Sequence, residues 1–289
     1  MNVDSSIKDY SFTIRGNRVG VLLLHGLGGT PVEMQDIATA IATAGYTVMC
    51  PQLAGHCGTY EDLRESRWQD WAASAEAALL ELKVTCDTIV VGGLSMGSIL
   101  SLHIAQKFPE VVHGIILFAP TVWLNGWVVP LRAYLFNLVH MKWCANMFDF
   151  PDLPPHGVKD PAIRARIASA MFSGDPSKAG LPITPGGAVL EHRWMVNSVR
   201  RRIKSIRQPT LIIHPREDDY ADLNNVAFLM RNLGGQVETH TLDDCYHIVT
   251  VDRQKDLVAA KSIAFIETTV LQAHHSARRE HSPSQQAKG

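Results

Sequence analysis

The sequence predicts an α/β fold: a mostly parallel central sheet flanked by helices, with an inserted, mainly helical cap. Three observations predict it. Val19–Leu24 is an unbroken apolar run bounded by polar and glycine residues, as expected of a strand buried on both faces of a parallel sheet. Strand-like and helix-like stretches then alternate along both flanks of the chain. The alternation stops at Thr121 and resumes near Ser198, and the intervening span is rich in Trp, Pro and Met and has no obvious strand.

The elements follow in order. After Val19–Leu24, the apolar residues Met34, Ile37, Ala38, Ile41 and Ala42 recur at helical spacing. Thr30 suits the cap of this helix, Pro31 its first position, and Gly45 its end. Tyr46–Cys50 reads as a strand stopped by Pro51. Trp68–Leu82 reads as a helix, with Trp71, Ala75, Ala78, Leu79 and Leu82 on one stripe. Thr88–Val91 is a strand, Met96–Phe108 a helix and Gly114–Phe118 a strand. Beyond the insertion come a strand at Thr210–Ile213, a helix at Asp222–Leu233 closed by two glycines, a strand at Val237–Leu242 and a helix at Gln254–Leu271. Alternation of this kind implies right-handed parallel crossovers. The core is therefore expected at residues 1–120 and 199–271, and the cap at residues 121–198. The polar, aperiodic residues 272–289 are expected to be a disordered tail.

A chain of 289 residues suits one core with an inserted subdomain, and 46% hydrophobic residues suffice to bury it. A net charge of -1 gives no bulk attraction to nucleic acid. The N-terminus has acids but neither a basic nor an apolar leader region, and no run has the length and apolarity of a membrane span. Five scattered cysteines form neither a disulfide framework nor a zinc pattern. A cytoplasmic protein with reduced thiols is the expectation.

Gly93-Leu94-Ser95-Met96-Gly97 matches G-x-S-x-G between a predicted strand and a predicted helix. The sharp turn strains the serine backbone, and glycines at 93 and 97 leave room for it. The Ser95 hydroxyl is thereby presented at a helix N-terminus, where backbone N–H groups favour negative charge. His25-Gly26-Leu27-Gly28-Gly29 follows the first strand, and its backbone can approach a ligand closely. An acyl-transfer oxyanion needs two donors; the N–H of Met96 and that of Leu27 are the candidates. His25 is expected to brace the loop rather than to act as a base.

In this motif class the base comes last in the chain and the acid before it. His247 lies between the last strand and the last helix. The acid should follow Thr210–Ile213, where Glu217, Asp218 and Asp219 are consecutive. Asp218 is preferred and Asp219 is second. Cys245 lies two residues before His247 without a sign of activation.

These motifs have a family likeness. The chain resembles the bacterial monoacylglycerol lipases and related small carboxylesterases of the α/β-hydrolase superfamily. The matching words are LLHGLGGTP, AGYTVMCPQLAGHCGT, GLSMGS, QPTLIIHPREDDYAD and DDCYHIVTVDRQKDLV. The resemblance implies the α/β-hydrolase fold, a Ser95–Asp218–His247 triad, Leu27 and Met96 as oxyanion donors, and no cofactor or metal. It departs at Gly55-His56-Cys57, where the family usually has Gly-His-Gly, and at Gly97-Ser98, where it often has two glycines. His214-Pro215 replaces a commoner pair as well.

The expected reaction is hydrolysis of a small-molecule ester with a monoacylglycerol or medium-chain acyl group. An acyl-thioesterase or acyltransferase would use the same triad, and a non-catalytic ligand-binding homologue would use the same pocket. The crowded apolar span from Trp123 to Val139 has three compatible fates: cap core, acyl channel over Ser95, or transient contact with a membrane surface. Trp127 and Phe136 are the candidate pocket residues.

Overall fold

The computed structural model describes residues 8–271. The expected tail at 272–289 lies outside them. The first half contains β1 (Phe12–Ile14), β2 (Val19–Leu24), α1 (Gln35–Thr43), β3 (Thr47–Cys50), α2 (Tyr60–Glu65), α3 (Trp68–Thr85), β4 (Thr88–Leu94), α4 (Met96–Lys107) and β5 (Val112–Phe118). Next come α5 (Lys142–Ala145), β6 (Asp149–Pro151), α6 (Pro161–Met171), α7 (Pro176–Ala179), β7 (Ile183–Pro185) and α8 (Gly186–Arg201). The chain continues with β8 (Thr210–Pro215), α9 (Asn224–Asn232), β9 (Val237–Leu242) and α10 (Lys255–Phe265).

Seven strands form one sheet in the order β1-β3-β2-β4-β5-β8-β9. All pairings are parallel except that of β1 with β3 at the edge. Period-two alternation divides each inner strand between two cores. Leu22 and Leu24 of β2 join Trp71, Leu79, Leu82 and Ile99 from α3 and α4. Val21 and Leu23 join Ile37, Ile41 and Phe265 from α1 and α10. Each of these four β2 side chains is fully buried, a gain of roughly 2 kcal/mol apiece. One polar residue on either face would therefore cost more than strand propensity could recover.

Most elements fall where the periodicity predicts. Thr30 Oγ1 accepts the Val32 N–H at 3.3 Å, and Gly45 closes the helix at φ 100°. The first turn of that helix, Pro31–Met34, is a 3-10 turn. Two core elements go beyond the sequence reading. The three-residue β1 is too short to show a period. The six-residue α2 is capped reciprocally by Thr59 and Asp62.

The span between β5 and β8 corrects two expectations. It does contain strands, because β6 and β7 pair antiparallel through Asp149–Pro185, Phe150–Thr184 and Pro151–Ile183. Three residues ending in proline give no alternation to read. The expected boundary at 198 falls inside α8. This helix places Ala188, Met195, Val196 and Val199 in the main core and Val189 and Leu190 in a small cluster with Phe136 and Ala145. Glu191 is buried on it, paired with Lys142 Nζ at 3.2 Å.

The loops leaving the C-terminal ends of β2, β4, β5 and β8 meet above one edge of the sheet, where parallel α/β sheets bind ligands. Among the described residues no helix is long and apolar enough to cross a membrane.

Candidate active site

Ser95 stands between β4 and α4 at φ 55° and ψ −112°, a conformation that non-glycine residues rarely adopt. The surroundings enforce it. A Cβ at Gly93 would lie 2.4 Å from Gly97 backbone, and one at Gly97 would lie 2.2 Å from Leu24 O. Only glycine lets the two chain segments pass so closely. The Ser95 N–H donates to Phe118 O at 2.9 Å. Ser98 fills the position where the family often has glycine. Its Oγ lies 2.6 Å from Gly93 O and 3.0 Å from Phe118 O, so the extra hydroxyl ties the elbow to β5.

Residues far apart in sequence converge here. His247 Nε2 lies 2.8 Å from Ser95 Oγ. His247 Nδ1 lies 2.9 Å from both carboxylate oxygens of Asp218. An N–H facing a carboxylate fixes the proton on Nδ1 and leaves Nε2 to accept from the serine. Thr121 Oγ1 lies 3.1 Å from Ser95 Oγ, a neighbour that no sequence motif marks.

The three consecutive acids separate by environment. Glu217 is exposed and pairs with Lys159. Asp218 and Asp219 are buried. Burial alone would push the Asp218 carboxyl up. The charge and hydrogen bond of His247, with His214 and the Ala221 N–H, outweigh that and hold it below the ordinary value. Asp219 does not touch the imidazole ring. Its carboxylate accepts the His247 N–H at 3.1 Å and the Gly157 N–H at 3.0 Å. Burial, reinforced by the Asp218 charge, pushes it up to about 6. Burial disfavours a protonated His247, yet Asp218, Asp219 and Glu33 together raise it above the ordinary histidine value.

The glycine-rich loop is braced as expected of His25. His25 Nε2 accepts the Leu53 N–H at 3.1 Å, and Nδ1 lies 3.0 Å from Gly26 O. Leu27 lines the cavity beside Ser95. Met96 opens α4 with its side chain buried, and the N–H of a first helical residue has no intrahelical acceptor. Cys57, where the resemblance leads one to expect glycine, takes φ 61°, in the left-handed region that favours glycine. The Cys245 thiol is buried, and burial pushes it up to about 12, which disfavours the thiolate.

A cavity of about 500 Å³ opens onto Ser95 and His247. Val122, Val128, Val129, Phe136 and Phe150 form much of its apolar wall, while Asp152 and Tyr220 are polar groups of its lining. Phe136, the other candidate pocket residue, is buried and lines it. Trp127 needs correcting, for it is 59% exposed and is not among the lining residues. Its indole N–H donates to Glu217 O at 3.2 Å, and its ring meets Tyr246 edge-on. That backbone acceptor on the outside draws the amphipathic indole away from the cavity.

A family model described as serine aminopeptidase, S33, matches residues 16–254. The chain belongs to this family. Its relatives include a thermostable monoacylglycerol lipase of Bacillus sp. strain H-257. That protein is 29% identical over 258 residues, covering 88% of this chain and 92% of the relative. A pimeloyl-[acyl-carrier protein] methyl ester esterase of Aromatoleum aromaticum is 35% identical over 253 residues, covering 83% and 95%. A solved structure from the metagenome-derived lipolytic enzymes LipS and LipT superposes with a TM-score of 0.69. It shares 26% identity and covers 89% of this chain and 96% of its own. This S33 member is accordingly an α/β-hydrolase and an enzyme, a serine hydrolase of the lipase and esterase kind.

Proposed function

We propose that the protein hydrolyses carboxylic esters carrying a medium-chain acyl group, monoacylglycerols among them, through an acyl-enzyme on Ser95. The observation that supports this reading is the Asp218–His247–Ser95 relay at 2.9 and 2.8 Å, opening into an apolar cavity of about 500 Å³. That volume lies in the range of small-molecule sites.

His247 Nε2 takes the Ser95 proton as Oγ bonds to the ester carbonyl carbon. The carbonyl electron pair moves onto oxygen, and the N–H groups of Leu27 and Met96 receive it. Asp218 holds the imidazole in the required tautomer and stabilises the imidazolium. As the tetrahedral intermediate collapses, the alcohol departs with the proton from His247. Water then enters, gives a proton to His247 and attacks the acyl-enzyme. Collapse releases the carboxylic acid and returns the proton to Ser95. Residues 121–198 are read as the cap over this chemistry, with α8 shared between cap and core. The exposed Leu131, Leu135 and Leu138 on its outer side suit transient contact with a lipid surface.

The test is a series of p-nitrophenyl esters from acetate to octanoate, with monoacylglycerols and acyl-thioesters alongside. An apolar wall contributes roughly 0.8 kcal/mol per buried CH₂, so kcat/KM should climb with chain length. A profile flat or falling from acetate to octanoate contradicts the medium-chain reading. Faster thioester than ester turnover would transfer the same relay to an acyl-thioesterase.

A further inference from the structure

Glu33 is an acid beside Ser95 that the acyl-transfer scheme leaves unused. It sits on the 3-10 turn Pro31–Met34, part-exposed as a residue but with its carboxyl enclosed. Glu33 Oε1 accepts the Gly26 N–H in a short hydrogen bond. A Cβ at Gly29 would lie 2.5 Å from Oε2 and 2.7 Å from Oε1. A Cβ at Gly26 would lie 3.3 Å from Oε1 and 3.7 Å from Ser95 Cβ. The carboxyl is therefore wedged into the Gly26–Gly29 turn, against the glycine whose open side also faces Ser95.

This placement acts on the loop's geometry. In a trans peptide the C=O of Gly26 and the N–H of Leu27 lie in one plane and point in opposite directions. Gly26 O accepts the Gly29 N–H at 3.2 Å and the His25 Nδ1–H at 3.0 Å. These two donors fix the peptide unit that carries the Leu27 N–H. The preceding unit, ending in the Gly26 N–H, is held by the Glu33 carboxylate. Glycines on both sides give the loop no rigidity of its own. Without the carboxyl, the entry to the turn would be free to rotate.

Glu33 and His247 also line the same cavity, which brings Glu33 into the field of His247. The groups facing His247 are Asp218 and Asp219 from the loop after β8, His214 from β8 itself, and Glu33 from the glycine-rich loop side. The Tyr220 ring stands 5.3 Å from it. His247 and Cys57 are the titratable groups that face Glu33.

We propose that Glu33 is a positioning residue of the oxyanion loop, holding it through the Gly26 N–H, and that its carboxylate is an electrostatic partner of His247. The inference rests on the acyl-transfer reading above. Burial pushes the carboxyl up to about 7, so this partner changes charge in the working range of the histidine.

The test compares Glu33→Gln and Glu33→Ala with the native enzyme, using p-nitrophenyl octanoate. Labelling of native Ser95 by a fluorophosphonate comes first; its failure would reject the acyl-transfer reading and leave the role of Glu33 a separate matter. Glutamine keeps an oxygen that accepts the Gly26 N–H, whereas alanine does not. A displaced donor weakens the transition state more than the ground state, so Glu33→Ala should lower kcat about 10- to 100-fold with KM within about two-fold. Glu33→Gln should recover most of that loss. Removing the negative charge lowers the pKa of His247, so the acid limb of kcat/KM in Glu33→Gln should move to lower pH. Native-like kcat in Glu33→Ala overturns the positioning role, as does equal damage in both variants. An unmoved acid limb in Glu33→Gln overturns the electrostatic role. Should Glu33→Ala fail to fold, the kcat and the acid limb of Glu33→Gln decide both.

Discussion

Asp219 Oδ1 accepts the backbone N–H of His247 at 3.1 Å, one residue along from the carboxylate that holds the ring of the same histidine. Adjacent acids thus hold one histidine in two ways, since Asp218 orients the imidazole and Asp219 anchors the loop that carries it. Asp218→Asn should lower kcat by about 10⁴-fold, because the amide favours the wrong tautomer. Asp219→Asn keeps one acceptor oxygen and should cost at least ~10-fold less activity. Its main effect should be lost stability of about 1–3 kcal/mol, since one buried N–H loses its partner. Steady-state kinetics and urea unfolding of the two variants check this. Greater damage to kcat from Asp219→Asn would reverse the assignment.

Phe136 and Trp127 should separate in the same way. Phe136→Ser should flatten the rise of kcat/KM with acyl length while leaving acetate hydrolysis nearly intact, because the ring is part of the cavity wall. Trp127→Ser should leave the chain-length profile unchanged, since its ring lies outside that wall. Kinetics with acetate and octanoate esters is the measurement. Equal effects of the two substitutions would contradict the cavity as described.

The elbow predicts stability effects of different size. Gly97→Ala places a methyl 2.2 Å from Leu24 O, a backbone atom of a central strand that cannot yield. It should cost more than about 4 kcal/mol or abolish soluble expression. Ser98→Ala removes a hydroxyl 2.6 Å from Gly93 O and should cost about 1–2 kcal/mol. Thermal unfolding of both distinguishes backbone strain from the lost brace. A native-like Gly97→Ala would mean the two segments do not pass as closely as described.

Stability should also depend on pH with two opposing signs. Burial pushes His56 and His192 down to about 4 in the folded chain, against about 6.5 when unfolded. Between these values the unfolded state binds more protons, so this stability is full above pH 6.5 and is lost as pH falls toward 4. Glu33 has the opposite sign. Raised to about 7, it is protonated in the folded state where the unfolded chain is ionised. Its contribution is full below about pH 4.5 and is lost as pH rises through about 7. Urea unfolding at intervals from pH 4.5 to 8 should show a shallower acid-side slope in His192→Gln and a smaller alkaline loss in Glu33→Gln. Parallel curves for native and variant would contradict either assignment.

How much of this is legible in the sequence varies with the range of the interaction. The β2, β4 and β8 strands are continuous apolar runs because both faces are buried, and such runs are visible without a structure. Ser95 and His247 are legible because strand–turn–helix placement is local. The sequence supports Asp218 over Asp219 only as a preference, since two adjacent acids at a loop tip look alike until the chain's turn sends one to a ring and the other to backbone. Trp127 is misplaced by sequence reasoning because an apolar-rich stretch does not reveal which residues face inward when its backbone is irregular. Thr121, Ser98 and Glu33 carry no sequence signal as site residues. Their roles rest on contacts with residues far along the chain or with backbone atoms, which leave no periodicity. The strands β6 and β7 are invisible for the same reason.

The most direct test of the central claim is covalent. Native protein treated with a fluorophosphonate should gain one probe mass, mapped by peptide mass spectrometry to Ser95. Ser95→Ala should fold, take up no probe and lose ester turnover, keeping on the order of a 10³-fold rate over water from the remaining site. Native-like turnover by Ser95→Ala, or a label mapped to another residue with activity lost, would contradict Ser95 as the nucleophile.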